Sequence, residues 1–260
     1  MGIKKEQNYM GFEQGPIRPP SEANSLLLRV TRNCPWNRCT FCSVYKQQQF
    51  SLRLVEHVIA DIEAIYEVVY RVLDELNVQG HLTQERVNYL AENYFADNIQ
   101  VFSIAVNWLA RGEGSVFLQD ANSLIIKPDN LITILKHLKM RFPWISRITS
   151  YARSHTINRI SDDKLAELAE TGLNRIHIGM ESGCDEVLKL TDKGVTKAHH
   201  IKAGQAVKKA GIELSEYVMP GLGGADLSSE HAYHTADALN QIDADFIRPA
   251  AAHRRASAYI

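Results

Sequence analysis

The sequence has little of several features that would place a protein in a specialised class. No stretch approaches the roughly 20 uninterrupted apolar residues that a membrane-spanning helix requires, and the first 14 residues lack the apolar core of a signal peptide. Lys and Arg together number 29 and Asp and Glu 30, so no excess of positive charge is available to hold a nucleic acid. These absences predict a cytoplasmic protein without a membrane segment, in which nucleic-acid binding would require a local basic patch.

Cysteine is also scarce, with four residues in 260, which is too few for a disulfide scaffold. Three of the four, Cys34, Cys39 and Cys42, nevertheless lie close together in the chain. In a reducing compartment such clustering indicates metal or redox chemistry. The remaining composition, 45% apolar and 23% charged, is that of an ordinary globular chain with one large core or two small ones.

Short runs of β-branched residues alternate with longer helical stretches, a pattern that predicts parallel strands joined by helical crossovers. Helix starts are indicated by Asp129, Ser161, Thr196 and the serines at 228 and 229, because these residue types favour helix N-caps. The pattern therefore predicts an α/β fold. The six predicted strands are residues 25–31, 114–120, 147–152, 174–181, 213–220 and 245–249.

The connection between the first two predicted strands is far longer than a crossover needs. Its apolar residues follow the helical period, so residues 51–112 are predicted to be a helical insertion, whose aromatic residues either pack in the core or form part of a substrate lid. Residues 1–24 are predicted to be an extended N-terminal arm and residues 250–260 an irregular C-terminal tail. The predicted core spans residues 25–249.

The three clustered cysteines occur in the segment Asn-Cys-Pro-Trp-Asn-Arg-Cys-Thr-Phe-Cys, directly after the first predicted strand. A loop in that position opens on the face where parallel α/β folds place their sites. Thiolates are soft ligands that suit zinc or an iron-sulfur cluster. The spacing leaves two closed metal centres open as alternatives, a two-iron cluster completed by Cys184 and a structural zinc completed by His57.

The cysteine loop, with Phe41 just before its last cysteine, resembles that of the radical S-adenosylmethionine (SAM) superfamily. The resemblance covers roughly residues 25–249 and is strongest to the branch with oxygen-independent coproporphyrinogen oxidases and methylthiotransferases. It implies an open (β/α)6 partial TIM barrel, with no cobalamin-binding domain before it. The loop departs from the family in one respect. Four residues, 35–38, separate the first two cysteines where the family usually has three, and two residues separate the second pair, as is usual. The extra residue is expected to bulge the loop.

The resemblance also implies the chemistry. Three thiolates on a [4Fe-4S] cluster leave one iron open, and in this family the amine and carboxylate of SAM occupy that iron. An electron from the reduced cluster then breaks the sulfonium bond and yields methionine and a 5′-deoxyadenosyl radical, which takes a hydrogen atom from the substrate. The expected cofactors are the cluster and SAM, and the expected electron donor is a reductant such as flavodoxin or ferredoxin. The substrate is unknown.

Further SAM contacts follow from the resemblance, residue by residue. Asp120 corresponds to the ammonium contact, Glu181 to the ribose contact and Lys193 to the carboxylate contact. Each of the three has a structural alternative. Asp120 is then a turn or N-cap residue, Glu181 a member of a structural salt bridge and Lys193 a solvated surface residue. Phe41 beside the cysteines and Gly221, in a glycine turn expected beside the adenine, complete these contacts.

Four other residues near the predicted strand ends are less specific. Ser150 and Arg153 flank the mouth of the barrel and are expected to reach SAM or substrate. His177 is expected to point into the barrel as an interior histidine, and Cys184 to be an ordinary buried cysteine. A non-catalytic iron-sulfur or zinc protein, closed by Cys184 or a histidine, is the alternative to a radical SAM enzyme.

Overall fold

The computed structural model describes residues 8–112 and 114–250. Six strands form one parallel sheet in the order β1-β4-β5-β6-β7-β8, and two short strands, β2 and β3, form a separate antiparallel pair. The strands are β1 (Leu26–Arg29), β2 (Thr31–Arg32), β3 (Ser51–Leu52), β4 (Ser115–Gln119), β5 (Arg147–Ala152), β6 (Leu173–Glu181), β7 (Glu213–Val218) and β8 (Phe246–Pro249).

Helices connect the strands of the parallel sheet. They are α1 (Val55–Gln79), α2 (Gln84–Tyr94), α3 (Ile99–Arg111), α4 (Pro128–Arg141), α5 (Ser154–Ile157), α6 (Asp162–Glu170), α7 (Asp185–Leu190), α8 (Lys197–Lys209) and α9 (Ser228–Ile242). Among the described residues, every helix is too short or too polar to span a bilayer. The arrangement confirms the predicted open (β/α)6 partial barrel.

Alternation along each strand separates a helix-facing side from an interior side of the sheet. Ile176 and Ile178 of β6 lie in the core between sheet and helices, whereas His177 between them points inward, as predicted. The interior holds a group of rings: His177 lies 5.4 Å from Tyr151 and 5.5 Å from Tyr217, centroid to centroid. Polar and aromatic side chains therefore line the barrel below its mouth.

Helix starts follow local sequence in most places. The Ser161 side chain accepts a hydrogen bond from the Lys164 amide, and Thr196 forms a capping box with His199. The predicted cap at Asp129 is wrong, because Lys127 is the N-cap residue of α4 and Asp129 lies in its first turn. Pro128 at the first helical position needs no amide partner there and moves the start of the helix two residues earlier.

The long first connection contains three helices, which begin at Val55 because residues 51–52 pair with β2 instead. Their aromatic residues pack in the core. The rings of Phe95 and Phe102 stack at 5.3 Å, and the Trp108 indole donates a hydrogen bond to the Ser115 carbonyl at 2.9 Å. Ser115 begins β4, at the end of the sheet opposite the cysteine loop, so these contacts favour the packing interpretation over the lid.

The described part of the N-terminal arm, residues 8–24, is fastened to the barrel. Tyr9 donates a hydrogen bond to Asp61 of α1, and the Glu22 carboxylate is fully buried, where it accepts from Ser25 and Arg147. Since Arg147 begins β5, Glu22 occupies the amino-terminal end of the barrel. The predicted tail, 250–260, lies outside the described residues except for its first residue.

Candidate active site

The cysteine loop lies between β2 and β3 and is fastened at both ends to one carboxylate. Asp120, directly after β4, accepts from the Arg29 guanidinium at 2.7 and 3.0 Å, from the Asn33 amide at 3.1 Å and from the Tyr45 hydroxyl. Its side chain is completely buried. Because Asn33 precedes the first cysteine and Tyr45 follows the last, this one carboxylate holds the whole loop against the end of β4.

The extra residue of the loop is accommodated by a left-handed turn. Asn37 has a φ of 48°, a conformation that asparagine adopts more readily than most residues, and its amide donates to the Cys34 sulfur at 3.4 Å. Its side-chain amide bonds the carbonyls of Tyr45 and Gln48 across the loop. The four-residue spacing is thus built into an internally hydrogen-bonded bulge.

Trp36, within the extra stretch, docks the loop onto the segment that follows α7. Its indole nitrogen donates to the Asp192 carbonyl at 2.6 Å, and its ring lies directly over Gly194. The Arg153 guanidinium lies 4.9 Å from the centre of the same ring and donates to the Lys193 carbonyl at 2.5 Å. The cysteine loop, the end of β5 and the segment of Lys193 therefore form one connected unit.

Three predicted cofactor contacts meet beside Cys39. The Lys193 ammonium is 2.9 Å from Glu181 Oε1 and 5.7 Å from the centre of the Phe41 ring. Burial raises the pKa of the Cys39 thiol, and the positive charges of Lys193 and Arg153 act in the opposite direction by stabilising its thiolate. The structure therefore brings Phe41, Glu181 and Lys193 together, and their roles in SAM binding stay predictions.

Gly221 follows β7 on the same side of the barrel. Its φ is +82°, and a β-carbon built there would have no atom within 4 Å, so open space adjoins its backbone. The Met219 amide donates to the Glu181 carbonyl at 2.9 Å, and Phe41 packs against the apolar group that contains Met219. The glycine turn, the end of β6 and the cysteine loop thus border one region, in which a flat ring could approach Gly221.

Ser150 and Asp120, which were predicted to contact SAM, have other surroundings in the structure than expected. Ser150 is paired with Ile176 in the sheet and shares its helix-facing side, where its hydroxyl donates to the Tyr151 carbonyl, so it does not face the barrel interior. Asp120 has protein donors on both of its oxygens, as described above. A one-residue shift along a strand reverses side-chain direction, and the sequence alone did not show which side of β5 faced inward. The roles in SAM binding predicted for both residues stay predictions.

The closed metal centres find little support. Cys184 is fully buried in an apolar group, and its thiol donates to Glu186 at 3.2 Å, while His57 on α1 lies against the Tyr9 ring. Across the described ranges, no three His, Cys, Asp or Glu side chains are close enough to bind one metal ion. Cys34, Cys39 and Cys42 are all partly exposed. Three thiols in one loop are a donor set that can hold a four-iron cluster, in which each thiolate binds a different iron.

Several residues of the site were not singled out from the sequence. Arg29 carried a signal, since a charged residue near the end of a buried strand needs a partner, and Asp120 and Glu13 both pair with it. Tyr45 and Trp36 carried none, because their partners lie 75 and 156 positions away in the chain.

Comparisons with known proteins show the family and the fold of this chain. The sequence profile of the Radical SAM superfamily matches residues 28–236. Over 194 residues the chain is 25% identical to 4′-phospho-dehydrooxetanocin synthase of Priestia megaterium, covering 73% of this chain and 22% of that protein. Over 70 residues it is 30% identical to tRNA uridine(34) acetyltransferase of Methanocaldococcus infernus, covering 27% of this chain and 13% of that protein.

Among solved structures, coproporphyrinogen III oxidase of Escherichia coli, described as a radical SAM enzyme, aligns with a TM-score of 0.56 at 12% identity. The alignment covers 91% of this chain and 46% of that one. At this identity the likeness shows the fold alone. The chain spans less than a quarter of the length of the two curated relatives, so their activities do not transfer directly.

Proposed function

Because this chain belongs to the radical SAM superfamily, we propose that it cleaves SAM reductively at a [4Fe-4S] cluster held by Cys34, Cys39 and Cys42. The observation that carries the proposal is the cysteine loop itself: three thiols in one fastened loop beyond β1, with Lys193 and Glu181 beside Cys39. When bound, the cluster supplies the electron that breaks the sulfonium bond of SAM. The substrate of the resulting radical is unknown.

The chain's own residues would bind and orient SAM. Lys193, now paired with Glu181, offers its ammonium to the SAM carboxylate, and Glu181 offers carboxylate oxygens to the ribose hydroxyls. Open space at Gly221 admits the adenine, and Phe41 covers Lys193 from the loop side. Asp120 positions the loop, and its predicted contact with the SAM ammonium is tested separately below. A flavodoxin or ferredoxin would supply the electron.

The first experiment is anaerobic reconstitution with iron and sulfide, followed by incubation with SAM and dithionite. We expect about four irons per protein and release of 5′-deoxyadenosine and methionine, measured by chromatography. Cys39→Ser should lose both iron and product, because a three-thiolate site has no spare protein ligand. Cys184→Ala is the matched control and should keep both, since that thiol is buried and bound to Glu186.

Two results would refute the proposal. One is tight binding of a single zinc without SAM cleavage. The other is a cluster that disappears in Cys184→Ala, which would indicate a closed centre with Cys184 as its fourth ligand.

A further inference from the structure

A cleft of about 390 Å³ opens beside the cysteine loop, on the outer side of Trp36. Pro35 and Trp36 form one wall, the turn that leads from β4 into α4 forms the second, and residues from the end of β5 through α5 form the third. Because Pro35 directly follows Cys34, a molecule in this cleft would lie next to the proposed cluster ligands. Of the residues expected to reach SAM or substrate, only Arg153 lines it.

The charge of the cleft has one sign. Lys127, Arg153, His155 and Arg159 line it, and none of the described lining residues is Asp or Glu. Within the part of the chain that the structure describes, Lys127 and Arg159 have no carboxylate at ion-pair distance, and the Arg153 guanidinium donates only to the Lys193 carbonyl. Three charged side chains, those of Lys127, Arg153 and Arg159, around a concave surface whose described lining has no acid, leave a positive potential.

The pKa of His155 also reflects the positive charge around the cleft. Burial, and then the positive charges of Arg159 and Arg153, lower the pKa of His155. The two guanidinium groups thus disfavour protonation of His155, and an anion between them would offset that repulsion.

The floor of the cleft is apolar. Leu124, Ile126 and Ile160 line it beneath the basic rim, and the Trp36 indole forms its inner wall. Such a surface suits an organic group attached to an anion better than a bare inorganic ion. The opening is concave and small, which favours a small molecule over the flat contact of a docked protein.

We propose that this cleft binds an organic phosphate and holds its phosphate group. Lys127 and Arg159 contact the phosphate with charge-assisted hydrogen bonds, and the Trp36 wall packs against the organic part.

The test is binding of phenyl phosphate and phenol to the purified protein, measured by broadening of the ligand proton signals. Phenyl phosphate should bind at least about tenfold more tightly than phenol, and its affinity should fall as salt is added. Excess SAM should not displace it, because the two sites are separate.

The double variant Lys127→Gln with Arg159→Gln should weaken phenyl phosphate binding by about tenfold or more. The matched control, Lys202→Gln with Arg71→Gln, removes the same two charges from exposed positions outside the cleft and should bind within about twofold of the original. Arg153 is left unchanged because it also holds Lys193 and Trp36.

Equal binding of phenyl phosphate and phenol, unaltered binding by the Lys127 and Arg159 variant, or displacement by SAM would each overturn the proposal. So would binding of an acidic flavodoxin that requires Lys127 and Arg159 while phenyl phosphate does not bind, since the cleft would then be a protein-docking surface. SAM cleavage is measured separately, so a protein that binds phenyl phosphate as expected but never cleaves SAM refutes the proposed function and leaves the anion site standing.

Discussion

The indole of Trp36 occupies the space that a side chain at Gly194 would need: a β-carbon on Gly194 would lie 2.3 Å from Cζ2 of the ring. Trp36 belongs to the stretch that lengthens the cysteine loop, and Gly194 follows Lys193. A close approach between the loop and the segment of Lys193 thus depends on the absence of a side chain at one position.

Gly194→Ala should therefore separate the loop from Lys193. Both Gly194 (φ +74°) and Gly211 (φ +75°) have left-handed backbone, but a β-carbon at Gly211 would meet nothing within 4 Å. Gly211→Ala should cost only the backbone strain, about 1 kcal/mol of unfolding free energy. Gly194→Ala should cost about 1–3 kcal/mol more and lower the iron content after reconstitution. Urea unfolding and iron assays check this, and equal behaviour of the two variants would contradict it.

Asp120→Asn distinguishes two roles of that carboxylate. If Asp120 positions the loop, losing its charge should destabilise the protein by about 1–3 kcal/mol, because Arg29 keeps its ion pair with Glu13, and should reduce the iron bound on reconstitution. If it instead contacts the SAM ammonium, iron content should stay normal while the Kd for SAM rises. Iron analysis together with SAM titration decides between them.

Tyr45→Phe tests the far end of the same loop. The hydroxyl of Tyr45 donates to the buried Asp120 carboxylate, so its removal should cost about 1.5–3 kcal/mol of unfolding free energy. Tyr233→Phe, at a position that is 70% exposed, is the control and should change stability by less than about 0.5 kcal/mol. A Tyr45→Phe protein as stable as its control would show that the loop is held without this bond.

Glu216 supplies a pH-dependent prediction. It lies on the helix-facing side of β7, fully buried, and both of its carboxylate oxygens lack a hydrogen-bond partner among the described residues. Burial raises its pKa well above the usual value, so the folded state favours the protonated acid. The stability that this proton contributes is fully present below the pKa of the unfolded chain, about 4.3, and is lost as the pH rises through the folded pKa.

Glu216→Gln should therefore be more stable than the original protein at pH 8, by about 1–3 kcal/mol, and the difference should shrink as the pH falls toward 5. Glu92→Gln, on the exposed surface of α2, controls for the lost charge and should show little change with pH. Thermal unfolding over this pH range measures both. A difference between Glu216→Gln and the original protein that does not vary with pH would contradict the assignment.

The polar interior of the barrel illustrates where sequence patterns stop being informative. Alternation along β6 predicts that His177 faces inward, and its ring lies among Tyr151 and Tyr217. The pattern does not show that Glu22 of the N-terminal arm reaches the same interior, 3.7 Å from His177 Nε2. That contact joins residues 155 positions apart, and nothing local to either residue encodes it.

Local periodicity was sufficient to predict six strands with helices between them and to place three cysteines in a loop at the carboxyl end of the first strand, because strand and helix patterns are properties of neighbouring residues. Tertiary structure alone decided that Asp120 holds both ends of that loop, that Ser150 faces the helices and that a basic cleft adjoins Trp36. Each of these depends on the register between strands or on contacts between distant segments. Strand register and long-range contacts are fixed only when the whole sheet and its helices pack around the core.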